Sequence, residues 1–164
     1  MKRKKRLKMK EIIMEEGRGE GFDRGELIQI AMDNLKNSYA PYSNYNVSAA
    51  VLMSSGRIYT GVNVENASYP AGICAERNAI FHGVNCGEDT IVAIAIVGGT
   101  GYSIQDYCAP CGICRQVMRE FCNPKDMRVI FAKSVTDYKE MTLERLLPES
   151  FGPEMLQNAG LRNK

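Results

Sequence analysis

Residues 108–114 read Cys-Ala-Pro-Cys-Gly-Ile-Cys, and three cysteines in seven positions admit a disulfide, a structural metal knot or half of a catalytic site. Cys111 and Cys114 stand three apart, so on the first turn of a helix their thiols share one face and can grip one ion. Pro110, just before them, suits a helix start. A Cys-x-x-Cys pair alone fits a redox couple, a structural zinc or chance, and a third ligand is needed. Cys74 supplies a candidate, because it follows a Gly-Ile turn and opens a second helix in the stretch Cys-Ala-Glu. Two helix N-termini then converge on one metal, and their positive dipole ends favour thiolates over thiols. Three protein ligands leave the fourth tetrahedral position open, which separates a catalytic zinc from a closed structural one.

The elements that must hold these residues are legible around them. With 164 residues the chain suits a single domain with its own core. Hydrophobic patterning predicts a helix over residues 24–38, with Leu27, Ile28, Ile30, Ala31 and Leu35 at helical spacing. The runs NVSAAVLM and IYTGVNV around the turn SSGR predict a β-hairpin. A buried helix follows in CAERNAIFHGV, with Ala75, Ala79, Ile80 and Val84 facing inward. TIVAIAIVGG reads as a central strand buried on both faces, CGICRQVMREF as a further helix and MRVIFA as another strand. Strands alternating with helices imply a three-layer α/β/α sandwich, here with a mixed central sheet.

Charge divides the chain unevenly. Seven of its 21 Lys and Arg residues fall in the first ten positions, with no acid among them. Residues 11–164 then carry 14 basic against 19 acidic groups, and an acidic body argues against a nucleic-acid groove across its surface. Residues 1–21 read as a charged, flexible extension and residues 22–164 as the domain. The basic start has no apolar stretch behind it, as a secretory signal requires, and no apolar run reaches membrane-spanning length. A cytoplasmic location follows as the expectation, and in a reducing compartment cysteine clusters point to metal or catalysis rather than disulfides.

The stretches APYSNYNVSAAVL, GVNVENASYPAGICAERNAI, PCGICRQV and LLPESFGPEML, in this order over about residues 24–157, resemble the small homotetrameric cytidine deaminases, zinc-dependent enzymes acting on nucleosides. The resemblance implies one zinc per chain on Cys74, Cys111 and Cys114, and hydrolysis of cytidine and 2′-deoxycytidine to the uridine nucleosides. Water at neutral pH is a weak nucleophile, and zinc lowers its pKa. Glu76, two residues past a ligand cysteine, would then move the protons. Arg77 resembles the arginine that bonds the ligand sulfurs and drains their charge. Asn63 and Glu65 alternate at a strand end and leave one face, and an amide with a carboxylate suits a ribose hydroxyl. In the family these positions bind the sugar 3′-OH. By the same resemblance the Ala75 backbone holds the base edge, and Tyr45, where the family often has phenylalanine, packs against substrate. Ala67, Tyr69 and Phe151 resemble residues that complete a neighbouring subunit's site, so the resemblance implies a homotetramer with shared active sites.

Cys86, Cys108 and Cys122 have no role in this scheme, and buried cysteine commonly serves as a small hydrophobe. His82, the only histidine, lies six residues past Glu76 and is expected to be structural or exposed. Three other readings compete: a deaminase of another amino-pyrimidine nucleoside, a deaminase of polynucleotides, and a zinc module that binds nucleic acid through KRKKRLK. The acidic body opposes the last, and leaves at most weak nucleic-acid contact through the tail.

Overall fold

A computed structural model describes residues 21–157. All but Gly21 of the expected N-terminal extension lies outside the described residues.

Apolar side chains at nearly every position let Ile91–Thr100 (β3) bury both faces, and it occupies the middle of a five-stranded sheet. Tyr45–Met53 (β1) pairs with it antiparallel, and Arg128–Ala132 (β4) pairs parallel on the other side. Ile58–Val62 (β2) and Tyr138–Thr142 (β5) form the edges, each antiparallel to its neighbour. The sheet order β2-β1-β3-β4-β5 therefore contains one parallel pair, which makes the sheet mixed.

Strand alternation sorts the core into two layers. Ala50 and Leu52 of β1, with Ala93, Ala95 and Val97 of β3, meet Leu27, Ile28 and Ala31 of the helix Arg24–Asn34 (α1). Ala49, Val51, Met53, Ile94 and Ile96 point the other way, toward Ala75–Asn85 (α2) and Gly112–Glu120 (α3). Alanines under the lone helix and isoleucines under the pair fill the two layers. The result is the expected three-layer α/β/α sandwich.

Local chemistry sets the element ends. Asp23 caps α1 by accepting from the Glu26 N–H at 3.0 Å. The predicted helix over 24–38 is α at Arg24–Asn34 and continues as a 3-10 turn at Leu35–Asn37, before Ser38 turns extended. Val84 departs from expectation. The buried spacing on α2 runs through Ala75, Ala79 and Gly83, so Val84 is rotated off that face and is 38 % exposed. The edge strand β5 was not predicted, since Tyr-Lys-Glu-Met-Thr lacks an apolar pattern. Its Glu140 carboxylate receives the Arg24 guanidinium, which ties the edge to α1. Two four-residue helices, Leu143–Leu146 (α4) and Glu154–Gln157 (α5), end the described chain. Among the described residues no helix is long and apolar enough to cross a membrane.

Gly61 of β2 fixes how closely α2 approaches the sheet. A Cβ there would lie 2.2 Å from the Ala79 nitrogen and 2.6 Å from the Ala75 oxygen, both backbone atoms that cannot swing aside. Gly61→Ala is expected to cost about 2–3 kcal/mol of stability, because helix and strand must separate. Denaturant unfolding checks it, and a loss under about 0.5 kcal/mol, the scale of a surface change, contradicts the close approach.

Candidate metal centre and active-site cavity

Cys74 is the N-cap of α2 and Cys111 the N-cap of α3, both with extended backbone, while Cys114 sits inside the first turn of α3. The helix thus begins one residue after Cys111, whose sulfur accepts from the Cys114 N–H at 3.4 Å. At the start of α3 an orphan helix N–H is thus satisfied by a ligand sulfur. All three Sγ atoms lie within 4.8 Å of one another, and those of Cys74 and Cys111 are 3.9 Å apart. A tetrahedral zinc with Zn–S of about 2.3 Å requires sulfurs about 3.8 Å apart, so donor chemistry and spacing both fit that ion.

Electrostatics favour a thiolate here before any metal enters. The Cys74 thiol is drawn down to about 5, first by its hydrogen bond with Cys114 and then by Arg77. Cys114 moves far upward by the same bond and by burial, so the charge resides on Cys74. The Arg77 Nη2 donates to the Cys74 sulfur at 3.4 Å, and its Nε is buried without a partner. Glu76, buried at 4 % exposure, has its carboxyl raised by desolvation, with the nearby Cys74 adding to the effect.

These groups open onto a cavity of about 610 Å³. Cys74, Cys111, Glu76 and Arg77 form one side of it, with Ala75 between them. Ala75 is the first residue of α2, so its N–H has no intrahelical acceptor. Asn63, Glu65 and Tyr69 border the same cavity. Asn63 and Glu65 lie just beyond β2, where Val64 between them bridges to Tyr39 and Ile73. Tyr69, 77 % exposed, stacks edge-on with Tyr42.

Three expected residues are not among the lining of this single chain. Tyr45 reaches lining residues from outside the cavity, its hydroxyl meeting the Cys108 thiol and its carbonyl accepting from Asn63 Nδ2; burial first, then Cys108, push the Tyr45 hydroxyl up to about 12. Ala67 stays on the exposed loop before Tyr69, and Phe151 lies beside α3, where its carbonyl accepts from Gln116 Nε2 at 3.0 Å. Cys108 lines the cavity but stands outside the three-sulfur cluster, and burial raises its thiol to about 11. His82 is exposed, with its ring against Tyr59.

Sequence reasoning missed Ser43. Its hydroxyl and N–H, with the Tyr42 N–H, all donate to Glu65 and hold that carboxyl below its usual range. The two segments are more than 20 positions apart, so no spacing rule links them.

A three-sulfur cluster whose Cys74 and Cys111 line a cavity, beside a buried carboxylate and on a three-layer α/β/α sandwich, defines a class: hydrolytic enzymes built around a thiolate-held zinc. The family model for the cytidine and deoxycytidylate deaminase zinc-binding region matches residues 23–133, and the chain belongs to that family. It is 42 % identical over 133 residues to a cytidine deaminase of Halalkalibacterium halodurans, covering 81 % of this chain and 97 % of that one. A cytidine deaminase of Sporosarcina psychrophila is 39 % identical over 138 residues, covering 84 % and 98 %. Among solved structures, the cytidine deaminase of Burkholderia pseudomallei superposes with a TM-score of 0.69 at 40 % identity, covering 77 % of this chain and 97 % of that one.

Proposed function

We propose that the chain hydrolyses cytidine and 2′-deoxycytidine at C4, consuming water and releasing ammonia and the corresponding uridine nucleoside. The observation that carries this reading is the meeting of the three-sulfur cluster and buried Glu76 with Asn63 and Glu65 around one cavity. Cys74, Cys111 and Cys114 would hold the zinc, which when bound would acidify water and so supply a nucleophile near neutral pH. Glu76 would accept one proton from the attacking water and pass it to the pyrimidine N3, then take the second from the hydroxyl now on C4 and pass it to the amine, which leaves as ammonia. Its desolvated carboxyl holds a proton more firmly than a surface glutamate, which suits a group that must both take and give. Arg77 tempers the negative charge of the sulfurs through Cys74. The Ala75 backbone faces the base edge. Loss of cytidine absorbance with purified, zinc-loaded protein tests the reading, and an inert protein refutes it.

Charge distinguishes a nucleoside from a nucleotide. Glu65 stays ionised under the donation of Ser43 and the Tyr42 N–H, and the cationic group at the cavity, Arg77, is turned to Cys74. A phosphate therefore meets repulsion, whereas a hydroxyl finds an acceptor. Glu65→Ala is expected to lower kcat/KM for cytidine about 5- to 30-fold, the range of an unpaired polar partner, with little change on free cytosine. Equal losses on both substrates contradict the sugar role.

The active form is read as a homotetramer that shares its sites, with Ala67, Tyr69 and Phe151 completing a neighbouring chain's cavity, while Tyr45 packs against the substrate. The exposure of Tyr69 and Phe151 supports it. Residues 1–21 are read as an appendage to the catalytic domain at 22–164, in a cytoplasmic enzyme, with at most weak attraction to nucleic acid. The family match starts only at residue 23. Light scattering is expected to give a tetramer for the full chain and for a chain lacking residues 1–20, and an active monomer overturns the shared site.

A further inference from the structure

Asn63 borders the cavity, yet most of its amide is already engaged within the chain. Its oxygen accepts from the Val47 N–H at 2.8 Å and from the Ser38 hydroxyl, and its Nδ2 donates to the Tyr45 carbonyl at 2.8 Å. Those two backbone partners are an unambiguous donor and an unambiguous acceptor, so they fix which way the amide faces. Ser38 fills the last lone pair. Its hydroxyl oxygen receives Asn46 Nδ2 at 3.0 Å, which commits its single proton to Asn63. The Asn46 oxygen in turn accepts from the Tyr102 N–H at 3.3 Å. Ser38 and Asn46 are 7 % and 3 % exposed. Tyr102 makes its contact from φ 67°, a left-handed conformation that a bulky residue holds only under constraint.

We infer that Ser38 and Asn46 are positioning residues for sugar recognition, forming a one-way hydrogen-bond chain that saturates the Asn63 oxygen and leaves one N–H as its sole offering to the cavity. Glu65, as a carboxylate, can only accept. Together they present one donor and one acceptor, the complement of a single hydroxyl, which is also one donor and an acceptor. Without Ser38 the amide oxygen regains a free lone pair, and the buried Asn46 N–H loses its acceptor. The amide oxygen then offers the sugar a second acceptor beside Glu65, and the amide loses one of the contacts that hold its N–H toward the cavity.

The inference rests on the nucleoside reading, and the test separates the two. Ser38→Ala is assayed on cytidine and on 2′,3′-dideoxycytidine, which lacks the ring hydroxyls. The expected result is a fall in kcat/KM of about five- to tenfold on cytidine, carried by KM, and of less than twofold on the dideoxy analogue. Ser38→Thr, which keeps the hydroxyl, recovers most of the loss. Asn46→Asp tests the chain from its other end, since a carboxylate there draws the Ser38 proton away from Asn63; the same substrate contrast is expected. Equal losses on both substrates from both Ser38→Ala and Asn46→Asp, or no loss on cytidine, overturn the inference. Failure of the unaltered protein to turn over cytidine overturns the nucleoside reading and this inference with it.

Discussion

Glu76→Gln is expected to lower kcat on cytidine by about 10²- to 10⁴-fold while zinc content and folding stay intact, the range set by loss of a positioned acid–base group. The substitution preserves shape in a site that is 4 % exposed, so no cavity opens. It also removes a carboxylate that burial disfavours. What disappears is the capacity to take a proton and return it, since an amide can hydrogen-bond but cannot shuttle. The size of the effect separates chemistry from binding. Loss of a contact at Asn63 or Glu65 is worth about 1–2 kcal/mol, or up to about 30-fold, and leaves turnover of the bound substrate largely alone. Metal analysis, a thermal melt and kcat at saturating cytidine together decide it. A variant with its zinc and with kcat within threefold of the parent removes Glu76 from the reaction.

The parts of this site that could be read from sequence are those fixed by local geometry. Cys111 and Cys114 stand one helical turn apart, and Cys74 and Glu76 open a helix together, so backbone periodicity alone sets their relations. Continuous apolar character likewise announces β3, whose burial on both faces requires helical layers above and below. The chain Tyr102–Asn46–Ser38–Asn63 is different. Ser38, Asn46 and Asn63 are small polar residues in loops and at a strand start, where polarity normally signals solvent, Tyr102 joins them through its backbone N–H, and only the packed fold brings residues 38, 46, 63 and 102 together. The edge strand β5 escaped because its stability comes from pairing with β4 and from Glu140 meeting Arg24, not from an alternating apolar face. Val84 shows how finely phase matters. One residue of shift between the Ala75–Ala79–Gly83 stripe and its neighbour separates core from surface. Tyr45, Ala67 and Phe151 come from the family resemblance alone, and the shared-site reading assigns Ala67 and Phe151 to an assembly larger than one chain.

Removing a sulfur ligand is the second large perturbation, and Cys111→Ala is expected to reduce bound zinc from about one per chain to well below that and to abolish measurable deamination. Two remaining thiolates hold zinc far more weakly than three, because affinity builds on the simultaneous presentation of deprotonated donors. Cys111 is the most informative choice, being exposed, so its truncation leaves no buried void. Truncating buried Cys114 would add a core cavity to the loss of a ligand and confuse the two. Loss of Cys111 also takes the acceptor from the Cys114 N–H at the start of α3, a cap worth about 1 kcal/mol, so a modest fall in thermal midpoint accompanies the lost metal. The parent's melt should rise when zinc is supplied to chelator-treated protein, since a ligand that binds only the folded state stabilises it, and the variant's melt should respond far less. Cys86→Ala serves as the control: Cys86 is exposed at the other end of α2, outside the sulfur cluster, and its loss should change neither metal content nor turnover. Full zinc content in Cys111→Ala, measured on protein freed of loosely held metal, would take this residue out of the ligand set.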